Sequence, residues 1–171
     1  EVTKHDIRAL VRLMQDILPP PLRRWVHVPL TSYDALDTAR ALQFHQAHHT
    51  VIRPKLYEII TLFDKLAMQY AGQVQIGRTH GQHALPITVG FWFATIMNRL
   101  LYNALKAEDA AAGLVGKISG AVGAYNAQHA LGFLDQSGKT YEERVLEKLG
   151  LKPGPISTQI LPPEPLAYYL F

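Results

Sequence analysis

Cysteine is absent from the 171 residues, which removes disulfides, cysteine-ligated zinc and thiol nucleophiles together. Long hydrophobic runs are missing as well. No stretch reaches the roughly 20 apolar residues that a membrane-spanning helix needs, so no membrane span is expected. No charged-then-apolar signal segment opens the sequence. Neither sign of charge dominates: 17 Lys and Arg stand against 14 Asp and Glu, a net of +3, and the basic residues are scattered. That balance favours anionic small molecules as partners and speaks against nucleic acid. Strand-type alternation of useful length is also lacking, which leaves an all-α reading.

Missing signatures narrow the chemistry further. There is no Gly-x-Ser-x-Gly elbow for a nucleophilic serine and no His-Glu-x-x-His metal motif. His45 and His49 are spaced i,i+4 and could share a helix face, but no acid or third ligand lies at a supporting spacing. His45, His48 and His49 therefore read as a solvated helix face, and no metal site is expected. Gly116-Lys117-Ile118-Ser119-Gly120-Ala121-Val122-Gly123 is glycine-rich, yet its spacing is not that of a phosphate-cradling Walker loop.

What the chain does have is helical punctuation. Thr3 and Asp6 form a capping-box variant ahead of Ile7, Leu10, Val11, Met14 and Leu18, and Pro19-Pro20-Pro21 stops that helix. Thr31, Ser32 and Asp34 repeat the start signal before Leu36, Ala39, Leu42 and Phe44. Pro54 either kinks this helix or begins the next, whose apolar period runs from Leu56 to Tyr70 and ends at Gly72. Residues 87–114 make the longest apolar segment. Phe91, Trp92, Phe93, Ile96, Met97, Leu100, Leu101 and Leu105 occupy every face, the pattern of a helix buried in a large bundle or between subunits. A chain this short cannot surround such a helix alone, so association or further chain is expected. Tyr141 to Leu149 is a short charged helix closed by Gly150. A helix start at residue 1 and the apolar, uncapped Ala167-Tyr168-Tyr169-Leu170-Phe171 point to an internal piece of a longer protein.

The polar stretch Gly77-Arg78-Thr79-His80-Gly81-Gln82 reads as a ligand site rather than a turn. Its glycines permit close approach, and Thr, His and Gln supply donors, acceptors and a proton that moves near neutral pH. Further polar clusters sit at helix starts or connectors: Lys4-His5-Asp6, His27 with Thr31-Ser32, and Ser157-Thr158-Gln159. Helix starts suit carboxylates and phosphates. Taken singly, Thr3, Thr31 and Ser32 are caps, and His5 or His27 is a structural histidine. Their coincidence tips the balance toward a shared polar pocket.

With these motifs in order, the sequence resembles the adenylosuccinate lyase family of the fumarase/aspartase superfamily. Thr79-His80-Gly81-Gln82 alone indicates only the superfamily. The Gly-Lys-Ile-Ser-Gly-Ala-Val-Gly block and Ser157-Thr158-Gln159 favour the adenylosuccinate branch over argininosuccinate, fumarate or carboxymuconate relatives. The resemblance implies a long-helix bundle, with residues 1–30 ending the N-terminal helical domain and residues 31–171 beginning the central one. It implies a carbon–nitrogen lyase of purine biosynthesis that releases fumarate from adenylosuccinate, leaving AMP, and treats the succinyl-carboxamide ribotide alike. No metal or organic cofactor is required. His80 matches the general acid. Thr79 lies where it can hold a carboxylate, Thr31 and Ser32 match the succinyl-binding pair, and Lys4, His5 and Asp6 match the nucleotide-side motif. Gln159 matches a substrate contact and His27 a supporting histidine. The resemblance further implies a cytoplasmic homotetramer whose active sites draw on three subunits. The family's basic serine, on a Gly-Ser-Ser-x-Met-Pro loop, has no counterpart in this chain. Nor do its early Arg-Tyr phosphate contact and its later arginines. A chain without the base is expected to be inactive alone. Two alternatives stay open: another fumarate-releasing or cycloisomerising relative, and a non-catalytic helical assembly or binding module.

Overall fold

Prolines, caps and close helix crossings partition the chain, and a computed structural model describes residues 4–133 and 138–171. The helices, in order, are α1 (Asp6–Ile17), α2 (Pro20–Arg23), α3 (Ser32–Ala47), α4 (Arg53–Gln69), α5 (Val89–Ala112), α6 (Asn126–Ala130), α7 (Tyr141–Lys148) and α8 (Glu164–Leu170). A π-helical turn, His48–Ile52, lies between α3 and α4. The strands are β1 (Val74–Thr79), β2 (Gln82–Thr88), β3 (Val115–Gly116) and β4 (Lys152–Pro153). The all-α expectation holds for the bulk of the chain, with one clear difference. β1 and β2 form an antiparallel hairpin that contains the very stretch read as a non-turn site. Only part of it alternates in burial, so a half-buried-strand pattern was not available to find it.

Two compact units result: Glu1–Phe44 with Leu114–Phe171, and His45–Gly113. In the first, Ala41, Leu114, Ile118, Leu146 and Leu151 form the buried core, with Leu30, Phe44, Tyr141 and Leu166 packed around it. Helix α1 starts two residues later than the capping-box reading places it. His5 is the N-cap, its Nδ1 accepting from Arg8 N–H at 3.3 Å, while Thr3 lies outside the described residues. Helix α7 follows expectation, and Thr140 and Glu143 add a reciprocal capping box at its start. Gly150, with φ of +75°, closes the helix.

In the second unit, α4 packs on α5 beside the hairpin. Pro54 sits in the first turn of α4, where its missing N–H costs nothing. Thr88 caps α5, its hydroxyl accepting from Phe91 N–H at 3.0 Å. The burial expected along α5 is not met within this chain. Phe91, Trp92 and Leu105 are exposed, and the buried positions of the helix are Gly90, Ala104, Ala110 and Ala111. One 171-residue chain has too little surface to cover a helix that is apolar all round.

Gly90 shows why the α4–α5 crossing is so close. Its N–H donates to Tyr70 C=O at 2.9 Å, and a Cβ there would run into the Ala67 carbonyl oxygen and the Ala71 backbone. Gly90→Ala is expected to destabilise the protein by about 1–3 kcal/mol, the usual cost of overpacking against backbone that cannot yield. Urea denaturation of the two forms checks this, and an unchanged midpoint would contradict the crossing described.

Candidate active site and its buried support

His80 and Gly81 form the two-residue tip of the β1–β2 hairpin, since Thr79 pairs with Gln82. Both have positive φ, +52° and +72°, as a type I′ turn requires. Glycine adopts that conformation freely; a histidine does so at a cost of about 1–3 kcal/mol, and such strain concentrates at functional sites. Below the tip, the pairing register slips between Ile76 and Arg78. A bulge of this kind re-aims neighbouring side chains. Thr79 and His80 are both exposed, so the imidazole stands at a strand end with its surface open to a ligand.

The remaining predicted residues lie in the first unit. Asp6 Oδ1 accepts from Ile7 N–H at 2.7 Å, and Lys4 has a φ of +48°. His5 Nε2 is 3.5 Å from Ser32 Oγ. Two of the expected binding clusters therefore touch. Thr31 N–H donates to Asp34 Oδ2 at 2.8 Å, and Thr31 lines a cavity of about 230 Å³ with Pro29, Leu30, Gly120, Ala121 and Asn126. His27, at a φ of +71°, has a buried Nε2 with no hydrogen-bond partner among the described residues. A buried imidazole nitrogen left so is costly unless a ligand or water completes it. Gln159 is exposed, next to Thr158, whose N–H donates to Ile160 C=O at 3.1 Å. Lys4, His5, Asp6, His27, Thr31, Ser32 and Gln159 thus belong to one unit and Thr79 and His80 to the other.

Sequence reasoning missed what holds the first group in place. Asp34 and Lys117 are both fully buried and paired. Asp34 also accepts from Ser119 N–H at 3.2 Å and from Gly120 N–H at 3.2 Å. The Lys117 ammonium donates to Gly120 C=O at 2.8 Å as well. Thr38 Oγ1 completes the clasp, donating to Lys117 C=O and accepting from Lys117 N–H, each at 2.9 Å. Lys117 is thereby committed to structure. A second clasp joins Glu142 to Ile118 N–H at 2.6 Å and to the Tyr125 hydroxyl, which donates at 2.7 Å. Asp34 at the third helical position was a visible capping signal; its partner across 83 positions was not.

The folded framework is that of known lyase-like enzymes. A fumarate lyase from Mesorhizobium sp. BNC1 superposes with a TM-score of 0.77 at 24% identity, covering 91% of this chain and 35% of that one. The 3-carboxy-cis,cis-muconate lactonizing enzyme from Pseudomonas putida gives 0.72 at 27% identity, covering 88% and 32%. A family profile described as "Lyase" matches residues 3–162, and the chain belongs to that family. Among characterised sequences it is 38% identical to adenylosuccinate lyase of Streptococcus mutans serotype c over 98% of this chain and 36% of that protein. It is 37% identical to adenylosuccinate lyase of Bacillus subtilis strain 168, over 98% of this chain and 37% of that protein. The chain thus spans a little over a third of the length of these relatives. Among the described residues, no helix is long and apolar enough to cross a membrane.

Two outcomes follow from the clasps. Asp34→Ala leaves the Lys117 ammonium buried without its counter-charge and is expected to cost about 3–5 kcal/mol; a loss below about 1 kcal/mol in chemical denaturation would remove the clasp from its assigned place. Burial first, then the hydrogen bond to Glu142 and the charges of Glu142, Glu143 and Asp34, push the Tyr125 phenol up to about 12. A raised phenol pKa favours the folded state while the hydroxyl stays protonated. This contribution is complete below about pH 10, the ordinary tyrosine value, and is lost as pH rises toward 12. Tyr125→Phe is expected to flatten stability over that window, read by melting temperature against pH.

Proposed function

We propose that this chain is part of an adenylosuccinate lyase, supplying the general acid and much of the binding surface for a C–N β-elimination. In that reaction a base removes the Cβ proton of the succinyl group and the C–N bonding pair leaves with the nitrogen. The acid protonates that nitrogen, so adenylosuccinate yields AMP and fumarate. His80 acts as the acid and Thr79 holds a carboxylate. Thr31 and Ser32 bind the succinyl part, Lys4, His5 and Asp6 the nucleotide side, and Gln159 a further substrate group, with His27 orienting. The base comes from chain beyond these residues. The observation that carries the reading is the similarity to adenylosuccinate lyases along almost the whole chain. In keeping with it, His80 is held in a strained turn and His5 contacts Ser32.

On the same reading, residues 1–30 close an N-terminal domain, residues 31–171 open the central bundle, and the succinyl-carboxamide ribotide is a second substrate. The exposed apolar residues of α5 are then covered in a cytoplasmic homotetramer. A cycloisomerising activity is the second reading, supported by the 27% identity to the muconate lactonizing enzyme.

Full-length protein is expected to release fumarate from adenylosuccinate and not from argininosuccinate. His80→Gln should lower kcat by about 10²–10⁴-fold, the usual weight of a general acid, with KM little changed. Residues 1–171 alone should release none. Fumarate release unaffected by His80→Gln, or turnover of carboxymuconate in place of adenylosuccinate, would refute the proposal.

A further inference from the structure

The second unit contains a cluster that plays no part in the elimination chemistry. His48, expected on a solvated face, is 1% exposed and opens a π-helical turn. π turns are uncommon and are frequent at functional sites. His48 Nε2 lies 3.3 Å from Glu108 Oε1 of α5, and the His49 ring meets the His48 ring edge-on with centroids 5.2 Å apart. The third ligand that helix spacing fails to provide is supplied by α5. One ligand atom from each of His48, His49 and Glu108 falls within 4.8 Å of the others.

We infer that His48, His49 and Glu108 form a binding site for a divalent transition-metal ion of the zinc type. Two ligands at about 2.0–2.1 Å from a tetrahedral zinc are about 3.3 Å apart, which matches the separation of His48 Nε2 and Glu108 Oε1. Two imidazoles and one carboxylate form a borderline-soft donor set that suits zinc, cobalt or nickel over magnesium or calcium. His49 is half-buried, so a side-chain rotation can bring it onto the same ion, and the fourth position is left to solvent. Arg53 competes for the site: its Nε is 3.2 Å from the same Glu108 oxygen. At 49% exposure the guanidinium can turn to solvent when a cation replaces it. The ion would pin α5 to the turn that leads into α4. This inference is independent of the lyase reading, and its test uses no activity measurement.

The test titrates metal-free full-length protein with Co²⁺, following the visible ligand-field absorption of tetrahedral cobalt, with Zn²⁺ as competitor. Wild type is expected to take up a Co²⁺ that Zn²⁺ displaces. Glu108→Gln and His49→Ala should each weaken that binding by about 100-fold, at least the effect of losing a supporting contact to a ligand. Arg53→Gln removes only the competitor and should tighten binding by up to about fivefold, the weight of a partly exposed ion pair. Tighter binding cannot arise from misfolding, so this variant keeps the test decisive if the ligand variants fold poorly. Absence of a tetrahedral band in both wild type and Arg53→Gln would overturn the inference and leave the trio as an ion-pair clamp. A band unaltered by both ligand substitutions would overturn it too.

Discussion

Neither Asp34 nor Lys117 can be buried alone. An ionised side chain in a protein interior without its partner costs several kcal/mol, so the start of α3 and the glycine-rich loop after β3 must come together. Once joined, the pair organises its surroundings: Asp34 takes the amides of Thr31, Ser119 and Gly120, and Lys117 takes the Gly120 carbonyl. The importance of the pair lies less in net stability, since apolar replacements often do as well, than in the arrangement it imposes. Thr31 and Ser32 follow from it, because their backbone leads straight into Asp34. The same loop carries Ile118 to Glu142 and hence to Tyr125, tying α7 into the assembly.

The hairpin of the second unit solves a different problem by local means. Here a short antiparallel pair with a bulge and a two-residue turn puts one imidazole at a strand end. Precision comes from the turn type, which fixes the backbone of His80 within narrow limits, and the strain is offset by the paired strands on either side. A flexible loop carrying the same residues would present the same chemistry without the fixed aim.

Helix positions were readable because prolines, caps and apolar period act within a few residues. Pro54 in a first turn and Gly150 at a C-terminus each mean locally what they mean in the fold. The hairpin escaped notice because its strands lack a clean alternation, and because glycine and histidine at a site look alike whether they form a loop or a type I′ tip. The α1 cap shifted from Thr3 to His5 because a histidine nitrogen took the role usually given to a hydroxyl. Most of the candidate site could be named from its motifs, whereas the contacts that hold it could not. His5 with Ser32 and Asp34 with Lys117 are neighbours only after folding. His48 departs from the solvated-face reading for the same reason, since Glu108, which it meets on α5, is distant in sequence.

By itself, the sequence determined the helical class, the approximate extent of the longer helices, and the set of polar motifs from which the chemistry was inferred. These depend on φ restriction, capping and side-chain periodicity, all short-range. Only the tertiary structure decided which charges neutralise each other in the interior, which imidazole is buried against a carboxylate, and that His80 stands on a strand end. Those outcomes depend on desolvation and on contacts between distant segments, and neither has an expression in local spacing.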